Sequence, residues 1–347
     1  MRDLPVKTST LHRFCTFSLL LLLAGCASEP VIRPSKPQPA DTGRLPTYVE
    51  PRPLVGIYAN QAGVREFIQH MVHDYGFSED YLNGLFSQAN KLDSVLRLEV
   101  DPFVPPKPKY TGPPLPPSAP QKPKPTLGWS SYRKQFLDDA HINNGVIFWR
   151  QNAEALQRAA QTYHVDPEYI VGIIGVETYF GRNVGKTNTF DALSTLAFFT
   201  IRRAEYFTKE LENFLLMTKE ENLEPRKIIG SWAGALGLGQ FMPKSFRKLA
   251  VDFDGDGKRD LWNSVDAIGS VAHYFSNSGW KFNQLVTTPI NGDIDDEYII
   301  LGTDSGNQFW AIGSNFNCIK KYNSSNKYAM AVHQLGQSIK QRYLMMK

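Results

Sequence analysis

The feature that most restricts the fold is a proline-rich run in the first half of the chain. Eleven of the 23 prolines lie between Pro102 and Pro125. Proline fixes φ and lacks the backbone N–H, so neither a helix nor a central strand continues through such a run. We therefore predict that residues 99–127 form a linker, or a strap lying over the surface. A polyproline ligand for another domain is the alternative.

The amino terminus has the pattern of an export signal. Three basic residues precede the apolar run FCTFSLLLLLAG, which is too short to span a bilayer as a mature helix. The sequence LAGC at 23–26 resembles a bacterial lipobox, in which Cys26 carries the lipid. Residues 1–25 are then a lipoprotein signal peptide. An ordinary secretory signal with a chance cysteine is the alternative.

The lipobox resemblance implies a place at the periplasmic face of the outer membrane of a Gram-negative bacterium, because alanine and not aspartate follows Cys26. Residues 26–53 are rich in proline and polar side chains, and we predict a tether between lipid and globule. Cys15 leaves with the signal peptide and Cys26 takes the lipid. Only Cys318 remains, so the mature chain is predicted to form no internal disulfide.

The composition excludes some classes of function. A net charge of +4 suits an acidic polymer or an anionic membrane, but it is too weak to indicate a nucleic-acid partner. No basic helix with interleaved aromatic residues is present, so we expect no nucleic-acid binding. The 347 residues, 42% of them hydrophobic, are enough for a sizeable core.

The hydrophobic period divides the rest of the chain. Residues 54–98 and 128–280 have apolar positions at helical spacing. Between 281 and 320 the segments EYIILGTD and NQFWAIG read as short antiparallel strands of a small β subdomain. Residues 321–347 return to a helix. The predicted fold class is α+β, mainly α, with a small antiparallel β insert.

The stretch from Asp166 to Gly181 has the signals of one buried helix. Asp166 and Pro167 predict its start, with the aspartate side chain as the cap, and Gly181 predicts its end in a left-handed turn. Glu177 shares a helix face with three isoleucines, so its carboxyl group projects from an apolar stripe in the last turn.

A glutamate in that position has the properties of a general acid. Burial and the negative end of the helix dipole both raise the pKa of Glu177, and a carboxyl group that stays protonated near neutral pH can donate its proton. The alternative is a glutamate that reaches water or pairs with Arg182. The segment SWAGALGLGQFMP at 231–243 favours a site, because small residues let a backbone approach a ligand. A tight helix–helix contact explains its glycines but not Gln240.

Four ordered segments resemble the membrane-bound lytic murein transglycosylase B family. They are GIIGVETYFGR, DALSTLAFFTIRRAEYF, GSWAGALGLGQFMPKSF and DFDGDGKRDLWNSVDAIGSVAHYF, and the resemblance covers about residues 54–347 and is strongest over 129–280. It implies a lysozyme-like core, an enzyme that cleaves peptidoglycan glycan strands, and cell-wall synthases as further candidate partners.

The resemblance also implies a reaction with one carboxyl group. Glu177 would protonate the glycosidic oxygen between N-acetylmuramic acid and N-acetylglucosamine, while the 2-acetamido group steadies the positive charge. The ionised glutamate would then deprotonate the muramic 6-hydroxyl, which closes to a 1,6-anhydro sugar. No catalytic cofactor is needed. Carried over position by position, the glycan groove would contain Tyr132, Arg202, Arg203, Tyr206, Ser231, Gln240, Phe241, Met242, Tyr274 and Tyr322.

The acidic segment DFDGDGKRD resembles an EF-hand loop. Aspartates occupy loop positions 1, 3 and 5, a glycine occupies position 6, and the carbonyl of position 7 is available, but the usual glutamate at position 12 is missing. The family resemblance supplies an acidic ligand at position 15. We expect structural calcium, replaceable by sodium, and the alternative is a polar turn capped by Asn263. The expected ligands are Asp252, Asp254, Asp256, Lys258 and Asp266.

Two other functions remain open at this point. A hydrolytic muramidase on the same fold needs a second carboxylate to activate water, and none is evident in the sequence. A non-catalytic peptidoglycan-binding lipoprotein needs no acid at position 177, yet Glu177 is present.

Overall fold

Helices form most of the described chain, which comprises residues 50–99, 128–290 and 297–346 of the computed structural model. The predicted signal peptide, Cys26 and nearly all of the predicted tether and linker lie outside these residues. The helices are α1 (Val64–Tyr75), α2 (Glu79–Ser87), α3 (Asp93–Leu98), α4 (Trp129–Arg133), α5 (Asp139–Gln151), α6 (Ala153–Tyr163), α7 (Pro167–Thr178), α8 (Thr189–Phe199), α9 (Ala204–Glu220), α10 (Pro243–Leu249), α11 (Ser264–Asn277), α12 (Ser314–Tyr322) and α13 (Asn326–Met345), with a short 3-10 helix at Pro225–Lys227.

Helices α1–α3 lie in the segment 54–98, which the hydrophobic period predicts to be helical. Aromatic side chains of this segment pack against α8 and its end. The rings of Phe86 and Phe190 meet edge-on with centroids 5.1 Å apart, and those of Tyr58 and Phe199 do the same at 5.4 Å. Large buried rings dominate the energy of such contacts. The segment therefore belongs to the same compact unit as the helices that follow the linker.

The centre of the molecule is the contact between α7 and α13. Helix α7 is buried nearly all round, as expected for a helix that is apolar on every face. Two glycines let the helices approach closely: a Cβ at Gly336 would lie 2.4 Å from the Glu168 carbonyl oxygen, and one at Gly172 would lie 2.8 Å from the Val332 carbonyl oxygen. The spacing of these helices therefore depends on the absence of two side chains.

The start of α7 is at the predicted place but is held differently. Pro167 occupies the first turn, whereas the Asp166 side chain makes no capping hydrogen bond, so that part of the prediction is wrong. Its carboxylate instead accepts hydrogen bonds from Trp280 Nε1 at 2.8 Å and from the Asn283 backbone N–H at 3.2 Å. Asp166 thus fastens the loop after α11 to the helix start.

The end of α7 also differs from the prediction. The left-handed turn begins at Tyr179, with φ 51°, and continues through Phe180 at 60° before Gly181 at 84°. Two consecutive non-glycine residues in this region are strained, and such strain persists only where the surroundings enforce it. The Phe180 ring packs where Gly175 has no side chain, since a Cβ there would lie 2.7 Å from Phe180 Cζ.

The structure contains both predicted strands in a three-stranded antiparallel sheet of order β3-β5-β4, with β3 at Thr287–Pro289, β4 at Tyr298–Thr303 and β5 at Gly306–Ile312. Helix α12 begins inside the predicted β subdomain of 281–320, so the return to helix occurs before residue 321. A second small sheet, β1 (Thr187–Asn188) with β2 (Ile229–Gly230), was not predicted. The α+β, mainly helical fold class is confirmed.

Two further observations concern helix length and the remaining cysteine. No helix among the described residues is both long and apolar enough to cross a membrane. Cys318 is buried and forms no disulfide within the described part of the chain.

Candidate active site

Glu177 lies one residue before the end of α7 and faces α13. The hydroxyl group of Tyr328 donates a hydrogen bond to Glu177 Oε1 at 2.5 Å, and Tyr328 is buried. Arg182, the alternative partner, does not pair with the carboxylate, because its guanidinium group lies over the Tyr179 ring at 5.1 Å. Among the described residues, Tyr328 is the one hydrogen-bond partner of this carboxyl group.

The electrostatic setting of Glu177 is that of a proton donor. Burial raises its pKa to about 7, and the hydrogen bond from Tyr328 acts in the opposite direction because it stabilises the ionised form. A carboxyl group with a pKa near 7 is present in both protonation states at neutral pH. It can therefore donate a proton in one step and accept one in the next.

Tyrosines surround this carboxyl group. Burial raises the pKa values of Tyr132, Tyr322 and Tyr328, and the negative charge of Glu177 raises each of them further. The carboxyl group therefore faces hydroxyl groups that remain protonated, which can donate hydrogen bonds but carry no charge.

The sequence alone did not single out Tyr328. Tyr328 is the first residue of a buried stripe along α13, which continues through Val332, Leu335 and Ile339. A tyrosine buried in such a stripe needs a partner for its hydroxyl group, and that requirement is the signal that was available.

The segment 231–243 forms a loop beside the end of α7. Thr178 Oγ1 donates to the Leu238 carbonyl at 2.9 Å and ties the loop to the helix. Gln240, with φ 51°, donates from Nε2 to the Gly237 carbonyl at 2.9 Å. The Ser231 hydroxyl accepts from the Ala235 backbone N–H at 2.9 Å, so it holds the loop and forms no hydrogen bond with Glu177 among the described residues.

The glycines of this loop have a packing role. Gly237 has φ 65°, and a Cβ there would lie 2.4 Å from the Leu261 carbonyl oxygen. Close backbone contact thus explains this glycine without a ligand, which favours the structural interpretation for the glycines. Gln240 likewise serves the loop through its hydrogen bonds.

Three of the predicted groove residues form an aromatic cluster. The Tyr322 ring lies 4.6 Å from Tyr274 and 6.0 Å from Phe241, measured between centroids. Phe241 is 2% exposed, so its ring packs against the two tyrosines and is not available to a ligand at the surface. The Tyr322 hydroxyl donates to the Gly239 carbonyl at 2.5 Å, and the Tyr274 hydroxyl donates to the Lys321 carbonyl at 2.7 Å. Met242 precedes α10 and is partly buried.

The remaining predicted groove residues form a separate cluster. Arg202 and Arg203 each donate to the Glu99 carboxylate, at 3.2 and 3.3 Å. Arg203 also lies over the Tyr206 ring at 5.0 Å. Within the described ranges, no hydrogen bond joins this cluster to Glu177.

The acidic loop brings together three of its five predicted ligands. One carboxylate oxygen of each of Asp252, Asp254 and Asp266 lies within 4.8 Å of the other two. Asp256 is not in this group, and its Oδ1 accepts from the Lys258 backbone N–H at 2.9 Å. Burial raises the pKa of Asp266, and the charge of Asp254 adds to the rise. A cation would remove this repulsion.

Known proteins share this arrangement of helices. The family model of the transglycosylase SLT domain matches residues 59–301 and 283–337. The membrane-bound lytic murein transglycosylase B of Escherichia coli K12 is 43% identical over 360 residues, which cover 92% of this chain and 95% of that protein. The chain belongs to the lytic murein transglycosylase family.

Solved structures of lytic transglycosylases agree with the assignment. Escherichia coli Slt35, solved in complex with bulgecin A and in complex with calcium, is 41% identical, has a TM-score of 0.75, and matches 86% of this chain and all of its own. SltB3 of Pseudomonas aeruginosa, solved with NAG-anhNAM-pentapeptide, is 26% identical with a TM-score of 0.65, over 80% of this chain and 78% of its own. The lysozyme-like fold class and the enzyme class, peptidoglycan lytic transglycosylase, are confirmed.

The raised pKa of Glu177 predicts a pH-dependent effect on the stability of this lytic transglycosylase. Between the ordinary value of 4.5 and about 7, the folded chain holds a proton that the unfolded chain has lost, so ionisation destabilises the folded state as the pH rises. We expect Glu177→Gln to raise the free energy of unfolding by about 2 kcal/mol at pH 8 and much less at pH 5.

Denaturant unfolding at the two pH values measures this difference. Glu154→Gln, which neutralises an exposed glutamate on α6, is the matched control and should give the same small change at both. An equal effect of Glu177→Gln at pH 5 and pH 8 would contradict a raised pKa.

Proposed function

We propose that the protein cleaves the β-1,4 bond between N-acetylmuramic acid and N-acetylglucosamine and leaves 1,6-anhydromuramic acid ends, with Glu177 as acid and then base. The observation that carries the proposal is one partly buried carboxyl group, hydrogen-bonded to Tyr328, with a pKa raised to about 7. The family assignment supplies the substrate class.

In the first step protonated Glu177 donates to the glycosidic oxygen, the bond to the anomeric carbon breaks, and the N-acetylglucosamine side leaves as an alcohol. The substrate's 2-acetamido group stabilises the positive charge at the anomeric carbon. Burial favours this step because it keeps the carboxyl group protonated at neutral pH.

In the second step ionised Glu177 accepts the proton of the muramic 6-hydroxyl, whose oxygen bonds to the anomeric carbon. The hydrogen bond from Tyr328 stabilises the carboxylate between the two steps. Glu177 ends protonated, as it began, and no water is consumed. Because the attacking hydroxyl belongs to the same sugar, the reaction is intramolecular and favoured over attack by water.

The two-carboxylate hydrolytic route lacks support. It needs a second carboxyl group about 5 to 10 Å from the first. Among the described residues, burial is the cause of the raised pKa of Glu177, and no second carboxylate forms a hydrogen bond with it.

The glycan groove is proposed to be built by the ten residues carried over by resemblance, of which Phe241 packs under the tyrosines and Ser231 and Gln240 hold the loop. Tyr132, Tyr274 and Tyr322 offer ring faces and hydroxyl groups, and Tyr132 and Tyr322 lie close enough to Glu177 to sense its charge. The complexes of Slt35 with bulgecin A and of SltB3 with a muropeptide support a glycan ligand for this fold.

The products distinguish the proposed transglycosylase reaction from hydrolysis. Digested peptidoglycan should yield muropeptides with 1,6-anhydromuramic ends, one water lighter than hydrolytic products, and Glu177→Gln should lower the rate about 100-fold or more, because the amide neither gives nor takes a proton. Mass spectrometry of the digest checks both. Reducing ends as the main product would exclude this mechanism.

A cation, calcium by preference and sodium as a substitute, is proposed for the acidic loop. The grouping of Asp252, Asp254 and Asp266 within 4.8 Å fits an oxygen-ligated ion, which would neutralise their charge. The calcium complex of Slt35 supports this assignment. Catalysis as proposed needs no metal.

Millimolar calcium should therefore raise the melting temperature by a few degrees, because an ion bound only to the folded state stabilises it. Asp254→Asn should abolish the shift, and Asp304→Asn, an exposed aspartate in the hairpin between β4 and β5, should retain it. If calcium does not change the melting temperature of the unmutated protein, the loop is a polar turn without a bound ion.

The lipid anchor and outer-membrane position also remain proposals, because Cys26 lies outside the described residues. The name of the membrane-bound relative supports them. We expect Cys26→Ser to move the protein from the membrane fraction to the soluble fraction with its activity intact. Retention of this variant in the membrane fraction would indicate a different anchor.

A further inference from the structure

A buried carboxylate joins the two arginines of the proposed groove. The Glu99 side chain is 4% exposed, and each of its oxygens accepts from one guanidinium group: Arg202 Nη2 bonds Oε1 at 3.2 Å, and Arg203 Nη1 bonds Oε2 at 3.3 Å. On sequence alone, Glu99 belongs to the predicted linker of residues 99–127 and has no assigned role.

The contact with Glu99 uses only part of each arginine. The side chains of Arg202 and Arg203 remain 53% and 39% exposed. A guanidinium group has five N–H donors in a rigid fork, and its hydrogen bond to Glu99 engages one nitrogen. Both arginines therefore keep donors for another acceptor, and the cluster of two cations and one anion has a net charge of +1.

Neighbouring groups fix the orientation of this cluster. The Arg203 guanidinium lies 4.6 Å from the Phe207 ring centroid and 5.0 Å from that of Tyr206. The Glu99 backbone N–H donates to the Val95 carbonyl at 2.9 Å, which holds Glu99 at the end of α3. Stacking and a shared carboxylate restrict a guanidinium plane in a way that a single ion pair in water does not.

We propose that Glu99 is a positioning residue that holds Arg202 and Arg203 as a fork for a carboxylate group of the peptide attached to the glycan. The inference rests on the proposed function, because it takes peptide-bearing peptidoglycan as the substrate. Bidentate geometry gives arginine its selectivity for carboxylates. Without the charge of Glu99 the two guanidinium groups repel each other and lose their common orientation, although the net positive charge increases.

The test measures the affinity for two substrates: glycan strands that carry their peptides, and peptide-free strands of N-acetylglucosamine, which also lack the lactyl carboxylate that an amidase would expose. Dissociation constants are measured in the Glu177→Gln background, so that turnover does not affect them. Adding Glu99→Gln should weaken binding of the peptide-bearing strands about tenfold, the effect of one charge-assisted hydrogen bond, and leave the peptide-free strands unchanged. Glu99→Asp should recover part of the loss.

The matched control is Glu205→Gln, which removes the same charge from an exposed glutamate two positions after Arg203. It should change neither affinity. Arg203→Lys keeps the charge, removes the fork and should repeat the selective tenfold loss, so the proposal stays testable if Glu99→Gln does not fold.

Three results for Glu99→Gln would overturn the proposal: equal weakening for both substrates, tighter binding of the peptide-bearing strands, or no change in either affinity. An equal effect of Glu205→Gln would also overturn it. The anhydro ends formed by the unmutated enzyme are judged separately. A failure of the fork therefore leaves the proposed reaction intact, and the absence of anhydro ends refutes the reaction instead.

Discussion

The hydrogen bond between Glu177 on α7 and Tyr328 on α13 is the interaction on which the site depends. It forms because the two helices pack at a distance that Gly172 and Gly336 set through backbone contact. The same packing removes much of the carboxyl group from water and so raises its pKa to about 7. The chemistry of one side chain is thus a consequence of how closely two helices approach.

The hydrophobic period predicted the elements with a strong local signal. The run around Ile173 gave helix α7, and the apolar segments near Ile300 and Trp310 gave strands β4 and β5. The two ends of α7 were wrong in detail. Asp166 bonds Trp280, 114 residues away, and the left-handed turn starts at a tyrosine that surrounding side chains hold in place. Local propensity does not contain contacts of that range.

The candidate site was predictable to a similar degree. A carboxylate in an apolar stripe made Glu177 a candidate, and the segment 231–243 and the family resemblance gave it the predicted catalytic role. Tyr328 stands 151 residues away, and its pairing with Glu177 becomes visible only when α7 and α13 are packed together. The pairing of Glu99 with Arg202 and Arg203, 103 and 104 residues away, was missed for the same reason. Of the three aspartates at the regular loop spacing, Asp252 and Asp254 lie together with Asp266, and Asp256 does not belong to this group.

The most direct test of this account is the pKa of Glu177 itself. Carbon NMR of the side-chain carboxyl group, assigned by its loss in Glu177→Gln, gives that value in the folded enzyme. We predict a midpoint near pH 7, and a higher midpoint in Tyr328→Phe, because the lost hydrogen bond stabilises the ionised form. A midpoint near the ordinary value of 4.5, unchanged in Tyr328→Phe, would contradict the claim that helix packing prepares this carboxyl group to act as both acid and base.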